Sequence, residues 1–391
     1  MEKTKQNVLS RLPGHTRGDG LFVAALLIFC TVLLFLPTGF ENELYKNSRR
    51  VEAEVLETDN SLVQQLGIIR QGDQALLVRV LSRGVYRERE LEANNMLIGK
   101  LELDSFYVPG DKILLVLDLD PATGDVVQAN AVGHYRLRLQ GLLLAAFSLF
   151  LIVFARWTGI KALLSFLFSV LVIWKLLIPG VLKGYSPLFY SMALVILMTG
   201  AIVFLVGGFS RRGVTAFLGA AGGVFLTAIL SVVIGKAFHI HGAVRPFSEP
   251  LLYSGFGHLN LTALFLASVF IAASGAVMDL AMDIAAAMHE LREKKPEISR
   301  RDLISSGFNV GRAVVGTMTT TLLFAYSGGY ITLLMVFMAQ GIPMENMLNL
   351  SYVSAEILTT LVGSFGLVLV APLTAVIGGF LYTGSGKKRR N

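Results

Sequence analysis

The sequence predicts a polytopic α-helical membrane protein of about eight transmembrane helices, with a small extracytoplasmic β-barrel-like domain of the OB or SH3-like kind. Three observations carry that expectation. Of the 391 residues, 54% are hydrophobic and 16% charged, against roughly 45–50% and 25% in soluble domains. Apolar runs of about twenty residues, enough to cross roughly 30 Å of hydrocarbon, recur through the last two thirds of the chain. Between the first run and the second, residues 41–138 instead alternate apolar and polar side chains between turn signals.

The first run, 21–36, follows a basic start of Lys3, Lys5, Arg11 and Arg17. That is the layout of a signal peptide, but Pro37-Thr38-Gly39 lacks the small-x-small site a signal peptidase needs. Phe29 also stands before Cys30, where a lipoprotein signal requires a small residue. The run is read as an uncleaved anchor. Cys30 is the only cysteine, which excludes an internal disulfide.

Within 41–138, Val51-Glu52-Ala53-Glu54-Val55 alternates as a half-buried strand does, and residues 75–80 and 112–116 read as two more. Turns at Gly72-Asp73, Pro109-Gly110-Asp111 and Asp120-Pro121-Ala122-Thr123-Gly124-Asp125 separate them. Five or so short strands in this length make a small barrel. Asp118, Asp120 and Asp125 invite a calcium reading. An EF-hand register from Asp118 puts Ala129 where the bidentate Glu belongs, so a hairpin turn is expected instead.

Seven further spans are expected at 139–155, 162–178, 188–206, 214–234, 261–288, 313–338 and 352–381. Orientation follows the Lys/Arg bias of the short loops. With the N-terminus inside, the cytoplasmic segments hold Arg156 and Lys161, Arg211-Arg212, Arg292 to Arg301, and the tail Lys387-Lys388-Arg389-Arg390. The opposite side offers Lys183, Lys236 and Arg245. Both termini are therefore expected in the cytoplasm and residues 41–138 outside it, in the plasma membrane of a bacterium. The domains expected are 1–40 (tail and anchor), 41–138 (β domain), 139–384 (seven-helix domain) and 385–391 (basic tail).

The net charge of +7 is explained by these clusters beside the spans, so nucleic acid is not an expected partner. Membrane lipid is, and the basic tail adds to it. Known enzyme motifs are missing. His289-Glu290 is followed by Leu291, Arg292 and Glu293, so H-E-x-x-H is incomplete, and there is no P-loop or G-x-G-x-x-G. No enzymatic activity and no cofactor are expected. His239, His241, Glu249 and His258 offer possible metal ligands, but so sparse a set in one loop is read as unliganded.

Charges inside spans are costly and tend to mark function. Asp279 and Asp283 lie four residues apart, hence on one helix face. After a bend at Pro296, the next helix carries Ser305, Asn309, Arg312, Gly316, Thr317, Thr319 and Thr320. Folding the hairpin about Pro296 brings Asp283 level with Asn309 and Asp279 level with Arg312, an expected polar seam with an acid–base pair. The competing reading is mutual neutralisation of Asp279 and Arg312 as a satisfied ion pair. Ser327-Gly328-Gly329 divides the seventh span, and Gly363 to Gly366 with Pro372 weakens the eighth. Broken helices of that sort hold ions in transporters, whereas small residues also serve close packing, which suits Gly219, Gly222 and Gly223 better. Glu356, near one end of the eighth span, is a possible gate or a solvated interfacial acid.

The stretch Ser274 to Asp283, with Ser306-Gly307-Phe308-Asn309-Val310-Gly311-Arg312 and Gly316-Thr317-Met318-Thr319, resembles the YibE/YibF family of bacterial membrane proteins. The likeness continues through Gly363-Ser364-Phe365-Gly366 and Ala371-Pro372-Leu373 and covers nearly the whole chain. It implies a transporter or permease, with Asp279, Asn309, Gly311, Arg312, Gly316 and Thr317 as motif residues. This chain carries Ala313 and Thr320 where the family pattern has Asp and Asn.

The function expected is transport of an ion or small solute. Asp279 would carry the cation or coupling proton, and Asp283, Asn309, Arg312, Thr317, Thr319 and Thr320 would form the pathway. The alternative is a membrane scaffold or accessory protein whose β domain binds a protein or envelope partner.

Overall fold

A computed structural model describes residues 17–40 and 47–383. Lys3, Lys5, Arg11, the side chain of Arg17 and the tail Lys387–Arg390 lie outside the described residues. The chain forms two compact units, one of Gly39–Val153 and one of the segment up to Thr38 with Phe154 onward.

The first unit is built on five strands: β1 (Ser48–Leu66), β2 (Ile69–Val80), β3 (Glu90–Ile98), β4 (Lys112–Leu119) and β5 (Val126–His134). They close a barrel in the order β1-β2-β3-β5-β4, with β1 long enough to pair antiparallel with both β2 and β4. A five-stranded barrel in this order, closed by a parallel bridge between β3 and β5, is of the OB rather than the SH3-like kind. The strict alternation predicts which side chains face inward. Val51, Ala53 and Val55 are buried, together with Val78, Val80, Ile113, Leu115 and Leu117.

A polar network seals one part of this core. Gln74, fully buried, donates from Nε2 to the carbonyl of Tyr107 and to Asn60 Oδ1, both at 2.9 Å. Its Oε1 accepts from Asn95 Nδ2 at 2.9 Å and from the Tyr107 amide at 3.1 Å. Every polar atom of the Gln74 side chain is thus engaged, as a buried amide requires. The aspartates of the β4–β5 hairpin serve the turn. Asp118 accepts from Ser48 at 2.6 Å, and Asp120 Oδ1 accepts from the Ala122 amide at 2.7 Å.

Among the described residues, six helices are long and apolar enough to cross a membrane, and the protein is membrane-embedded. We label the apolar helices α1 (Arg17–Phe35), α2 (Leu137–Leu182), α3 (Pro187–Gly207), α4 (Arg211–Ala237), α5 (Leu261–Lys294), α6 (Arg300–Ser327), α7 (Ile331–Ala339) and α8 (Ser351–Thr383). α1 is shorter than the six, yet Val23, Leu26, Cys30 and Leu33, spaced three, four and three apart, are buried in the same core as Leu164 and Phe168.

Two expectations need correction. The spans 139–155 and 162–178 are not joined by a loop. Two helices meet directly at a kink on Arg156, with φ 50° and ψ −120°, and Lys161 is buried. The positive φ of Arg156, costly for a residue with a Cβ, marks where the two segments meet. The eighth span is not interrupted. α8 runs unbroken through Pro372, and its glycines serve packing, for a Cβ on Gly366 would collide with Thr227 of α4. Only the seventh span is divided, by a 3₁₀ turn at Gly328–Tyr330 between α6 and α7.

α5 is the central helix of this unit, touching α3, α4, α6 and α8. Small residues allow the close approach, because apolar side chains gain little from leaving lipid and packing must supply the attraction. Gly219 and Gly223 of α4 abut Thr374 and Val370 of α8, and Gly307 and Gly311 of α6 seat against Ala375 and Ala371 of α8. The packing reading of the α4 glycines holds.

Candidate membrane-embedded polar site

The expected seam depends on how α5 and α6 turn their polar faces. On α5, Leu280, Ala281, Ile284 and Ala285 are fully buried, which leaves Asp279 and Asp283 on the opposite, exposed face beside Ala272 and Gly275. Asp279 stands near the middle of a 34-residue helix. On α6, Gly307 and Gly311 face inward, against Met288 and Ile284 of α5 as well as α8. Ser305, Asn309, Arg312, Gly316, Thr317 and Thr320 are therefore exposed, and Thr319 is half-buried.

The structure brings Asp279 and Asp283 together but does not bring Arg312 to them. Arg312 lies on the flank of α6 turned to α8, where it lines a cavity of about 500 Å³ with Phe308, Val368 and Pro372. Neither carboxylate, nor Asn309, nor Arg312 has a hydrogen-bond or ion-pair partner among the described residues. The acid–base pair expected across the hairpin is not made within one chain. The reason is rotational. Arg312 follows the buried Gly311 on the α8 side, while Asp279 looks out on the far side of α5. The threonine hydroxyls are satisfied locally, with Thr317 donating to Val314 O at 2.9 Å, Thr319 to Val315 O at 3.0 Å and Thr320 to Gly316 O at 3.3 Å.

Bare charges at mid-span are unfavourable. Insertion of an aspartate or arginine at a helix centre costs about 3 kcal/mol. Two unpartnered carboxylates and a guanidinium on one hairpin are therefore a feature that lipid alone does not stabilise.

A second polar cluster forms where the first was not expected. Glu356, on the first turns of α8, is largely buried, with 12% of its side chain exposed, and its Oε2 lies 3.6 Å from Arg245 Nη1. Arg245 comes from the segment between α4 and α5. Its Nη1 donates to the Tyr330 hydroxyl at 2.9 Å, its Nη2 to Thr359 Oγ1 at 3.2 Å, and its guanidinium sits 5.2 Å from the centre of the Phe265 ring. Tyr330 belongs to the 3₁₀ turn that divides α6 from α7. One turn earlier, the Tyr326 hydroxyl is buried without a partner.

Glu356 is therefore a buried, ion-paired acid and not a solvated interfacial one. A cavity of about 570 Å³ opens beside Arg245, lined also by Phe247, Glu249 and Tyr352, and one of about 300 Å³ lies beside Glu356, lined by Ser327 and Thr360. Tyr330 lines both. Arg245 thus faces the first hollow and Glu356 the second.

Sequence reasoning counted Arg245 as one of the few cations of its side and missed its partners, which lie 85 and 114 positions away. Its one signal was a cation beside apolar segments in an otherwise base-poor loop. His239 Nδ1 lies 3.0 Å from Ala237 O and His258 Nε2 3.3 Å from Leu182 O. Among the described residues, no group of three His, Cys, Asp or Glu is arranged to hold a metal ion.

No curated protein and no solved structure matches the chain. The sequence profile described as YibE/F-like protein matches residues 143–384, which include every residue of both polar clusters and well over half of the chain. The chain belongs to the YibE/F-like protein family.

Proposed function

We propose that the protein is a permease that moves an ion or small solute across the membrane along the exposed faces of α5 and α6. The observation that carries this reading is the pair Asp279 and Asp283, unpartnered near the middle of a long apolar helix. Carboxylates so placed hold a cation or exchange a proton. Asn309, Thr317, Thr319 and Thr320 would line the route along α6 with side-chain oxygens, and Arg312 would add its charge on the α8 flank. Glu356, held by Arg245 and Tyr330, is the gate at the other end of α6.

The proposed frame has eight spans, counting α1 and dividing α2 at Arg156, in a bacterial plasma membrane. Both termini lie in the cytoplasm and the barrel lies outside, a placement supported by the Lys/Arg bias of the loops. Lipid and the transported solute are the proposed partners. An envelope protein at the barrel belongs to the scaffold reading, which the same experiment addresses.

That experiment is ion flux in proteoliposomes. Asp279→Asn is expected to lower flux by about tenfold or more, the scale of losing one ion-binding charge, while membrane insertion is unchanged. Flux that is unaltered by Asp279→Asn and by Glu356→Gln would refute transport through this site. Loss of the cellular phenotype on deleting the barrel alone, with Asp279→Asn silent, would favour the scaffold.

A further inference from the structure

We infer that the exposed face of α6 is covered by a second copy of this chain, which places the Arg312 of each copy against the Asp279 and Asp283 of the other. The inference does not depend on what the protein transports.

α6 is the least buried of the long apolar helices. Of its 28 residues only Leu303, Gly307, Gly311 and Leu322 are buried within the chain, against 11 of 27 in α4 and 16 of 33 in α8. That open face is polar, with Ser305, Asn309, Gly316 and Thr320 exposed along it. Lipid is a poor cover for such a surface, and helices that associate in membranes do so through small and hydroxyl-bearing residues of this kind.

The charges identify the occupant. α6 rides in the notch between α5 and α8, its Gly307 and Gly311 seated against both. Arg312 emerges on the α8 flank of the open face, and Asp279 and Asp283 stand exposed on α5 at the other flank. Asp279 precedes Pro296 by about as many residues as Arg312 follows it, so the two are at one level of the hairpin. A two-fold axis parallel to α6 exchanges the flanks. It sets each guanidinium opposite the neighbour's carboxylates at the same depth, with the two α6 faces in contact along the axis. The surface is complementary to itself, and the charges that lack partners in one chain acquire them in two. The polar site is incomplete in a single copy.

The test uses the full-length chain in lipid nanodiscs, with two copies carrying different affinity tags. Wild-type copies are expected to co-purify, and Thr320→Cys in a Cys30→Ala background is expected to form a disulfide-linked dimer, since Thr320 lies on the shared face. Asp279→Lys and Arg312→Glu should each weaken self-association by about tenfold, because like charges then meet at both contacts. Co-expressing the Asp279→Lys chain with the Arg312→Glu chain should restore association. In that mixed pair the new lysine meets the new glutamate, and the two unchanged residues meet each other. Rescue between chains also shows that neither variant is simply misfolded, and the milder pair Asp279→Asn and Arg312→Gln should each give partial loss. A monomer in nanodiscs, single reversals that associate as wild type does, or a mixed pair no better than either variant alone would overturn the inference.

Discussion

The helical unit contains two regions built by opposite rules. Around α4 and α8 the glycines are spent on contact, and a Cβ on Gly219, Gly223 or Gly366 meets Thr374, Val370 or Thr227. Around α6 and α7 a Cβ on Gly316, Gly328 or Gly329 meets nothing. The first region buries these glycines along with Thr215, Thr227 and Thr374, while the second displays Gly316 with Thr317 and Thr320. The difference teaches that composition alone does not reveal what a small residue does in a membrane helix. Glycine closes one interface and lies open in another.

Substitutions can break this contrast or sharpen it. The largest effect is expected from Gly366→Leu. Overpacking a tight helix contact costs about 3 kcal/mol, so the fraction of protein that survives heating in detergent should collapse, whereas Gly328→Leu, in open space at the end of α6, should leave it nearly unchanged. Equal damage from both would mean that α6 is as closely packed as α8. Next comes the gate cluster. Removing one partner of a buried ion pair costs about 3 kcal/mol at the lower end of its range, so Arg245→Ala should destabilise the unit by that order. Arg245→Met combined with Glu356→Gln should recover part of the loss, which a thermal-shift series would read directly.

The barrel offers an internal control. Gln74→Leu strands the Tyr107 amide and Asn95, an expected loss of about 2 kcal/mol. It should appear as faster hydrogen exchange in β2 and β3 with no change in α5 or α8. Exchange that rises in the helical unit as well would show that the two units do not behave independently. The smallest effect is expected from Thr317→Val. Its hydroxyl already donates to Val314 O, and on an exposed helix face the change should be within about 0.5 kcal/mol.

Much of the architecture was legible because its signals are local. Alternation at Val51, Ala53 and Val55 fixed the inward face of β1, and the long apolar runs located α3, α4, α5 and α8 to within a few residues. The polar stripe of α6 was also readable, since residues three and four apart must share a face. Its direction was not. Whether Arg312 turns toward α5 or α8 depends on which side of α6 is seated by Gly307 and Gly311, and spacing within one helix carries no information about its neighbours. Arg156 misled for a related reason. A cation flanked by apolar runs reads as a loop, and the chain instead absorbs it in a single left-handed residue. Arg245 and Glu356 were each visible and their pairing was not, because it arises only when three distant segments meet.

Access of water to Asp279 in the intact membrane is the most direct measurement. Asp279→Cys in a Cys30→Ala background would be treated with a small, membrane-impermeant thiol reagent, with Val277→Cys, on the buried face of α5, as the control. A polar route past α5 predicts prompt modification at 279, slowed by a permeating cation, and none at 277. A thiol at 279 as unreactive as the one at 277 would contradict it.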